Sequence, residues 1–162
     1  MRRPYCLAVW YATILLVAAT TGARAQSDPQ ALRQKQFETL ARGDVAGALA
    51  LYTDDAVIDG VGLCVAAPCV GKDAIKKEFE NRIAHKVHAT GLNYYVSGNV
   101  VTTRYAVHSD STQKAGVDRI IEWDIVEIKQ GKIATVRGPV WERTDEQTAR
   151  YLEWQRRQQA PR

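Results

Sequence analysis

Helices gathered first, followed by four consecutive strand-like runs, predict an α+β fold with an antiparallel sheet. Two observations carry this. Apolar residues recur at three- and four-residue steps between Asp28 and Ile83, and from His85 the pattern turns strand-like. The runs are separated by "SGN", "SDSTQKAG" and "KQGK", which are turn compositions that make neighbours in sequence neighbours in the sheet.

The chain has 162 residues, one domain by length, and its first segment stands apart from the fold. "MRRP" is basic, "YCLAVWYATILLVAATT" is an unbroken apolar run, and "GARA" offers small residues at Ala23 and Ala25. This is the layout of a secretory signal peptide cut before Gln26. The run is also close to membrane-spanning length, and the Ala-Arg-Ala site decides for cleavage over an anchor. The expected organisation is a signal peptide over 1–25, a folded domain over 26–143 and a helical tail over 144–162. The product is expected in the periplasm or outside the cell, free of the membrane after cleavage. The formal charge of +4 includes Arg2, Arg3 and Arg24, so residues 26–162 carry +1. That balance leaves no basic footprint for nucleic acid.

Next, "SDPQALRQKQFETLARGD" places Asp28 as N-cap and Pro29 at the first helical position, with Gly43 ending the helix. "DVAGALALY" reads as a second, short helix with Val45 and Leu49 one turn apart. Tyr52 is expected to finish that helix, Asp54 and Asp55 to form a turn, and Ala56 to begin the first strand. Cys64 and Cys69 follow in "CVAAPC". In an oxidising compartment, two close cysteines in a Pro-containing loop read as a structural disulfide; the spacing is not C-x-x-C, and two thiolates fall short of a zinc site. "GKDAIKKEFENRI" then sets Ile75, Phe79 and Ile83 at four-residue steps, an amphipathic helix. The four strand runs come after it. In "TDEQTARYLEWQRRQQ", Thr144 and Gln147 have capping-box spacing at the start of a last helix.

The segments "ARGDVAGALALYTDDAVIDG" and "VGKDAIKKEFENRI", then the strands with "WDIVEIKQGKIATVRG", resemble a SnoaL-like member of the nuclear transport factor 2-like superfamily over Pro29 to Arg143. The resemblance implies a cone: a curved antiparallel sheet wrapped around the N-terminal helices, with a pocket opening at one end. The superfamily includes ketosteroid isomerases, polyketide cyclases, dehydratases, epoxide hydrolases and pure binding modules, so fold alone does not settle activity. Asp124 falls where the isomerases keep a protonated aspartic acid in their oxyanion hole. Their base would fall on Gly60, and their oxyanion tyrosine near Gln36. A ketosteroid isomerase is therefore not expected.

Glu122 and Asp124 share one face of a strand, and Ile121, Trp123 and Ile125 share the other. Either the apolar trio is core and the acids meet water, or the acids line the cone; the residues alone leave both open. In the second arrangement burial would raise the carboxyl pKa, with Glu122 two residues away adding to it. That makes Asp124 and Glu122 the catalytic candidates for acid–base work. Asp59, Tyr94, Arg104 and His108 are the candidates for substrate contact. Arg104 is suited either to an anionic group or to an outward salt bridge, and His108 either to proton relay or to a hairpin surface. His85 and His88 lack an acidic partner, so no metal is predicted, and no cofactor motif is present.

The expected partners are a small-molecule ligand and a second copy of the chain, joined through Ile121, Trp123 and Ile125. The expected function is an exported small-molecule-binding protein, acting as a cofactor-independent isomerase, cyclase or (de)hydratase on a small apolar substrate. The alternative is a non-catalytic ligand-binding or interaction module of the same fold. The export reading predicts a mature N-terminus at Gln26, measurable by mass spectrometry of exported protein. Intact Met1 in the membrane-free exported fraction would contradict it.

Overall fold

A computed structural model describes residues 28–60, 64 and 68–159. The expected signal peptide and cleavage site lie outside the described residues. The first helix, α1 (Pro29–Ala41), begins as its sequence dictates: the Asp28 carboxylate accepts the Gln30 N–H at 2.9 Å. In α2 (Val45–Ala50) Asp44 does the same for Gly47 at 2.7 Å. There follow β1 (Tyr52–Asp59), β2 (Cys69–Val70), α3 (Gly71–Ala84), β3 (His88–Ser97) and β4 (Val100–His108). The chain is completed by α4 (Asp110–Lys114), β5 (Ile120–Lys129), β6 (Lys132–Trp141) and α5 (Glu146–Gln159).

The six strands form one sheet in the order β2-β1-β6-β5-β4-β3. Its pairs are antiparallel except β1 with β6, whose parallel pairing the long intervening stretch of α3 and the β3–β5 meander permits. The sheet curves around α1, α2 and α3, and Ile58, Ile75, Phe79, Val101, Val126 and Ile133 fill the space between. A second cluster of Phe37, Tyr105, Val107, Ile120 and Tyr151 lies where β4 ends and β5 begins, and α5 crosses the sheet there.

The expected α+β cone with a C-terminal helix is the observed architecture, with local differences. Tyr52 does not finish α2; it opens β1 and is fully buried. Asp54 and Asp55 are not in a turn. They lie within β1 where its register with β6 slips between Tyr52 and Val57, and both face solvent, Asp54 against Lys72. "SDSTQKAG" holds the short helix α4, closed by a capping box between Ser109 and Thr112. At the last helix Asp145, rather than Thr144, is the cap: its Oδ1 accepts the N–H and the hydroxyl of Thr148, each at 2.9 Å. Gln147 turns away and accepts the N–H of Asp118 at 2.7 Å. Cys64 and Cys69 are bonded to each other, as the sequence predicts.

The two faces of β5 resolve the question left open by its alternation. Glu122, Asp124, Val126 and Ile128 point into the cone. The apolar trio is not a continuous stripe: Ile121 is buried, its N–H donated to Thr148 of α5 at 2.8 Å, and Ile125 is exposed. Trp123 stacks on Tyr95 of β3 with ring centroids 5.9 Å apart.

Candidate active site

Asp124 sits at a bulge. Trp123 pairs with Val140 and Ile125 with Arg137, so Gly138 and Pro139 together face the single residue Asp124. Such an insertion re-aims the side chain opposite it. A Cβ on Gly138 would stand 2.9 Å from the Trp123 carbonyl oxygen and 3.1 Å from the Asp124 Cβ, which is why glycine occupies the position.

Above Asp124 lies Arg33 of α1, 3% exposed. Its Nη2 donates to Asp124 Oδ2 and its Nη1 to Gln36 Oε1, while its Nε reaches Thr103 Oγ1 at 3.4 Å. The guanidinium lies over the Phe37 ring, 4.0 Å from its centroid, and 5.7 Å from that of Tyr105. Gln36 in turn donates from Nε2 to the Tyr52 hydroxyl. Asp124, Arg33, Gln36 and Tyr52 thus form one buried chain, and Asp124 Oδ1 has no partner among the described residues.

This chain borders a chamber of about 40 Å³, walled also by Phe79, Ile58 and Val136. The space suits a few waters or one small functional group. A second chamber of about 240 Å³ lies between α3, the end of β4, the start of β5 and α5, and holds Glu122, Glu78, Trp141 and Tyr151. Arg82 and Val87 line both chambers.

Burial raises the Asp124 carboxyl above the ordinary carboxylate range, and Arg33 and the Thr103 hydroxyl pull it back. Glu122 is raised by burial as well, against the pull of the Trp141 Nε1–H, which it accepts at 2.9 Å. Desolvation leads for both acids, as expected, and the added repulsion between them is subordinate, with Arg33 and Arg82 near. Burial also pushes Tyr52 up to about 12 and Tyr105 well above its usual value, so both phenols stay protonated.

Of the six site residues read from sequence, the structure brings Asp124, Glu122 and Tyr94 to the inner face. Tyr94 pairs with Thr103 on β4, is half-buried and has its phenol raised by burial. Asp59 is exposed at the end of β1. Arg104 faces outward and holds Glu142 with two bonds of 2.7 and 2.8 Å, the outward salt bridge rather than an anion site. His108 Nδ1 meets the Asp118 carbonyl at 2.9 Å and lines neither chamber. Among the described residues no group of three His, Cys, Asp or Glu is placed to hold a metal.

Sequence reading passed over Arg33, Gln36, Glu78 and Arg82. A signal was there: Arg33 is one turn before Phe37, and Glu78 and Arg82 fall on the face set by Ile75 and Phe79. A charge on an apolar face marks a buried partner. The isomerase comparison also gains a physical reason. A Cβ at Gly60 would stand 1.2 Å from the Gly138 carbonyl oxygen, so no side chain fits there.

The SnoaL-like domain family matches residues 34–136. No curated protein matches the chain in sequence. Among solved structures it is similar to RV0760c from Mycobacterium tuberculosis, in complex with estradiol-17beta-hemisuccinate, at 23% identity and a TM-score of 0.59, covering 72% of this chain and 95% of that one. A putative polyketide cyclase from Sinorhizobium meliloti matches at 20% identity and a TM-score of 0.56, over 65% and 91% of the two chains. SalBIII, an epoxide hydrolase/cyclase-like enzyme of pyran ring formation in the polyether salinomycin, matches at 20% and 0.59, over 72% and 92%. These likenesses show a shared fold.

The raised carboxyls give a pH signature. The folded chain holds the Glu122 proton more tightly than the unfolded chain does. Its contribution to stability is complete below the ordinary carboxylate range and is lost as pH rises through the raised value. Glu122→Gln keeps an oxygen for Trp141 and cannot ionise. Its melting temperature relative to wild type should climb as pH rises from the ordinary carboxylate range, about pH 4, through the raised value. Parallel melting curves across that range would show that Glu122 is not raised.

Proposed function

Because the chain belongs to the SnoaL-like family, we propose that it takes a small molecule into its cone and moves a proton on it with Asp124. The supporting observation is the unpartnered Asp124 Oδ1 beside a chamber, with Oδ2 held by Arg33. A carboxyl held by one oxygen and unbonded at the other keeps a lone pair free to accept a substrate proton. Burial brings its pKa towards the working range of a general base, and Arg33 keeps the ionised form within reach. The Arg33 and Tyr52 donors offer hydrogen bonds to negative charge developing on a substrate oxygen. The 40 Å³ chamber admits a reacting group such as a carbonyl or hydroxyl, and the body of the substrate extends into the larger chamber past Arg82.

Isomerisation, cyclisation, hydration and dehydration all need this proton transfer. Glu122 lies in the larger chamber as a second acid or base, and Tyr94 as a wall. The reading includes export, supported by the signal-like segment and by a disulfide that an oxidising compartment favours. A non-catalytic binder is the second reading, favoured by one observation: the Arg33 side chain itself occupies the cone and leaves little room beside Asp124.

Asp124→Asn keeps the shape and removes the titration, at a cost in stability because Arg33 loses its buried counter-charge, so turnover is compared at a temperature where both proteins are folded. With a substrate found by thermal-shift screening of small ketones, enones and polyketide fragments, turnover should fall about 10²–10⁴-fold while ligand affinity holds. Wild-type turnover by the Asn variant would exclude Asp124 as the base; ligands that bind the wild-type chain and are never turned over would leave the binder.

The sheet's outer face supports pairing of two copies. Tyr95, Ile125 and Val140 are 56%, 48% and 67% exposed around the half-buried Trp123. An apolar patch of that kind on a rigid sheet marks an interface. Sedimentation equilibrium at micromolar concentration should give a dimer, and Ile125→Glu a monomer; monomeric wild type would contradict the proposal.

A further inference from the structure

The larger chamber has chemistry that the proton-transfer reading does not use. Glu78 on α3 is 5% exposed, and its Oε1 accepts from Arg82 Nε at 3.1 Å. Its Oε2 is buried without a partner among the described residues. A buried carboxylate oxygen left unpaired is costly, and a native chain that keeps one completes it with water, an ion or a ligand or uses it in chemistry. Glu122 stands in the same chamber with one oxygen committed to Trp141.

The charges point the same way. The ionisable side chains of opposite sign around the two chambers are Glu78, Glu122 and Asp124 against Arg33 and Arg82, with His85 at the exposed rim. Asp124 is paired with Arg33 and Glu78 with Arg82, so Glu122 is the acid left without a cation, and a positive charge beside it favours its ionised form. Trp141 and Tyr151 supply aromatic walls. An ammonium between carboxylates and aromatic rings gains charge-assisted hydrogen bonds and attraction to the ring faces.

From the unpaired Glu78 oxygen, the excess of acids and the aromatic walls, we propose that the larger chamber binds the ammonium group of a small amine. The inference rests on the cone being the ligand site and names the chemistry of its ligand. The Glu78 carboxyl, whose Oε2 is covered in this structure, turns to present that oxygen to the amine; the amine lies beside Glu122, and its apolar remainder packs on Trp141 and Tyr151.

The test is calorimetric titration of the full chain near neutral pH with 2-phenylethylamine and with 2-phenylethanol, which match in shape and differ in charge. The amine should bind at least about tenfold more tightly, a gap of about 1.4 kcal/mol. Glu78→Gln should abolish the difference while leaving the alcohol's affinity unchanged. If that variant does not fold, the wild-type comparison decides alone. Equal affinities for the two probes, no binding of the amine, or an undiminished preference in folded Glu78→Gln would overturn the proposal. Failure here with turnover still lost in Asp124→Asn removes the amine and keeps the catalytic reading; the reverse result removes the catalytic reading and keeps the amine.

Discussion

The ion pair between Arg33 and Asp124 ties the first helix to the sheet it lies across. Both side chains are almost fully removed from water, so neither charge is tolerable alone. Removing one partner of such a pair costs about 3–5 kcal/mol, because the survivor stays buried and uncompensated. The pair therefore fixes how α1 sits on β4 and β5. It also fixes what the cone can hold, since the Arg33 guanidinium, sandwiched near Phe37 and Tyr105, occupies volume that apolar side chains would otherwise leave open.

That constraint shapes the rest of the interior. With Arg33 filling the middle, the space divides into a small chamber beside Asp124 and a larger one under α5, with Arg82 as a shared wall. Polar groups in the small chamber are chained to one another, from Asp124 through Arg33 and Gln36 to Tyr52. Fully satisfied networks of this kind are rigid, and the loose ends stand out against them. Among the described residues lining the two chambers the loose ends are Asp124 Oδ1 and Glu78 Oε2, one for each, and the proposed chemistry is assigned to those two atoms.

Much of the fold was legible because its local signals agree. Asp28 and Pro29 announce α1, the change of period near His85 announces the sheet, and the strand runs fall where the alternation puts them. Asp54 and Asp55 misled because short acids favour turns, whereas here a slip between two parallel strands carries them on the solvent side. The parallel partnership of β1 and β6 is a long-range pairing that no local run encodes. The site was half legible. Asp124 and Glu122 were visible as acids on one face of a strand, yet which face lines the cone depends on where α5 and α1 pack. Arg104 and Arg33 show the difficulty plainly: two arginines, one closing on Glu142 outside and one on Asp124 inside, told apart by packing alone.

The central claim is that Asp124 is a buried carboxyl held near its working range by opposing pulls from desolvation and Arg33. Carbon-13 NMR titration of the Asp124 carboxyl measures this directly, in the wild-type chain and in Arg33→Met. Asp124 should titrate above the ordinary aspartate value in wild type and higher still once the guanidinium is gone. An Asp124 that titrates like a surface aspartate in both proteins would contradict the account.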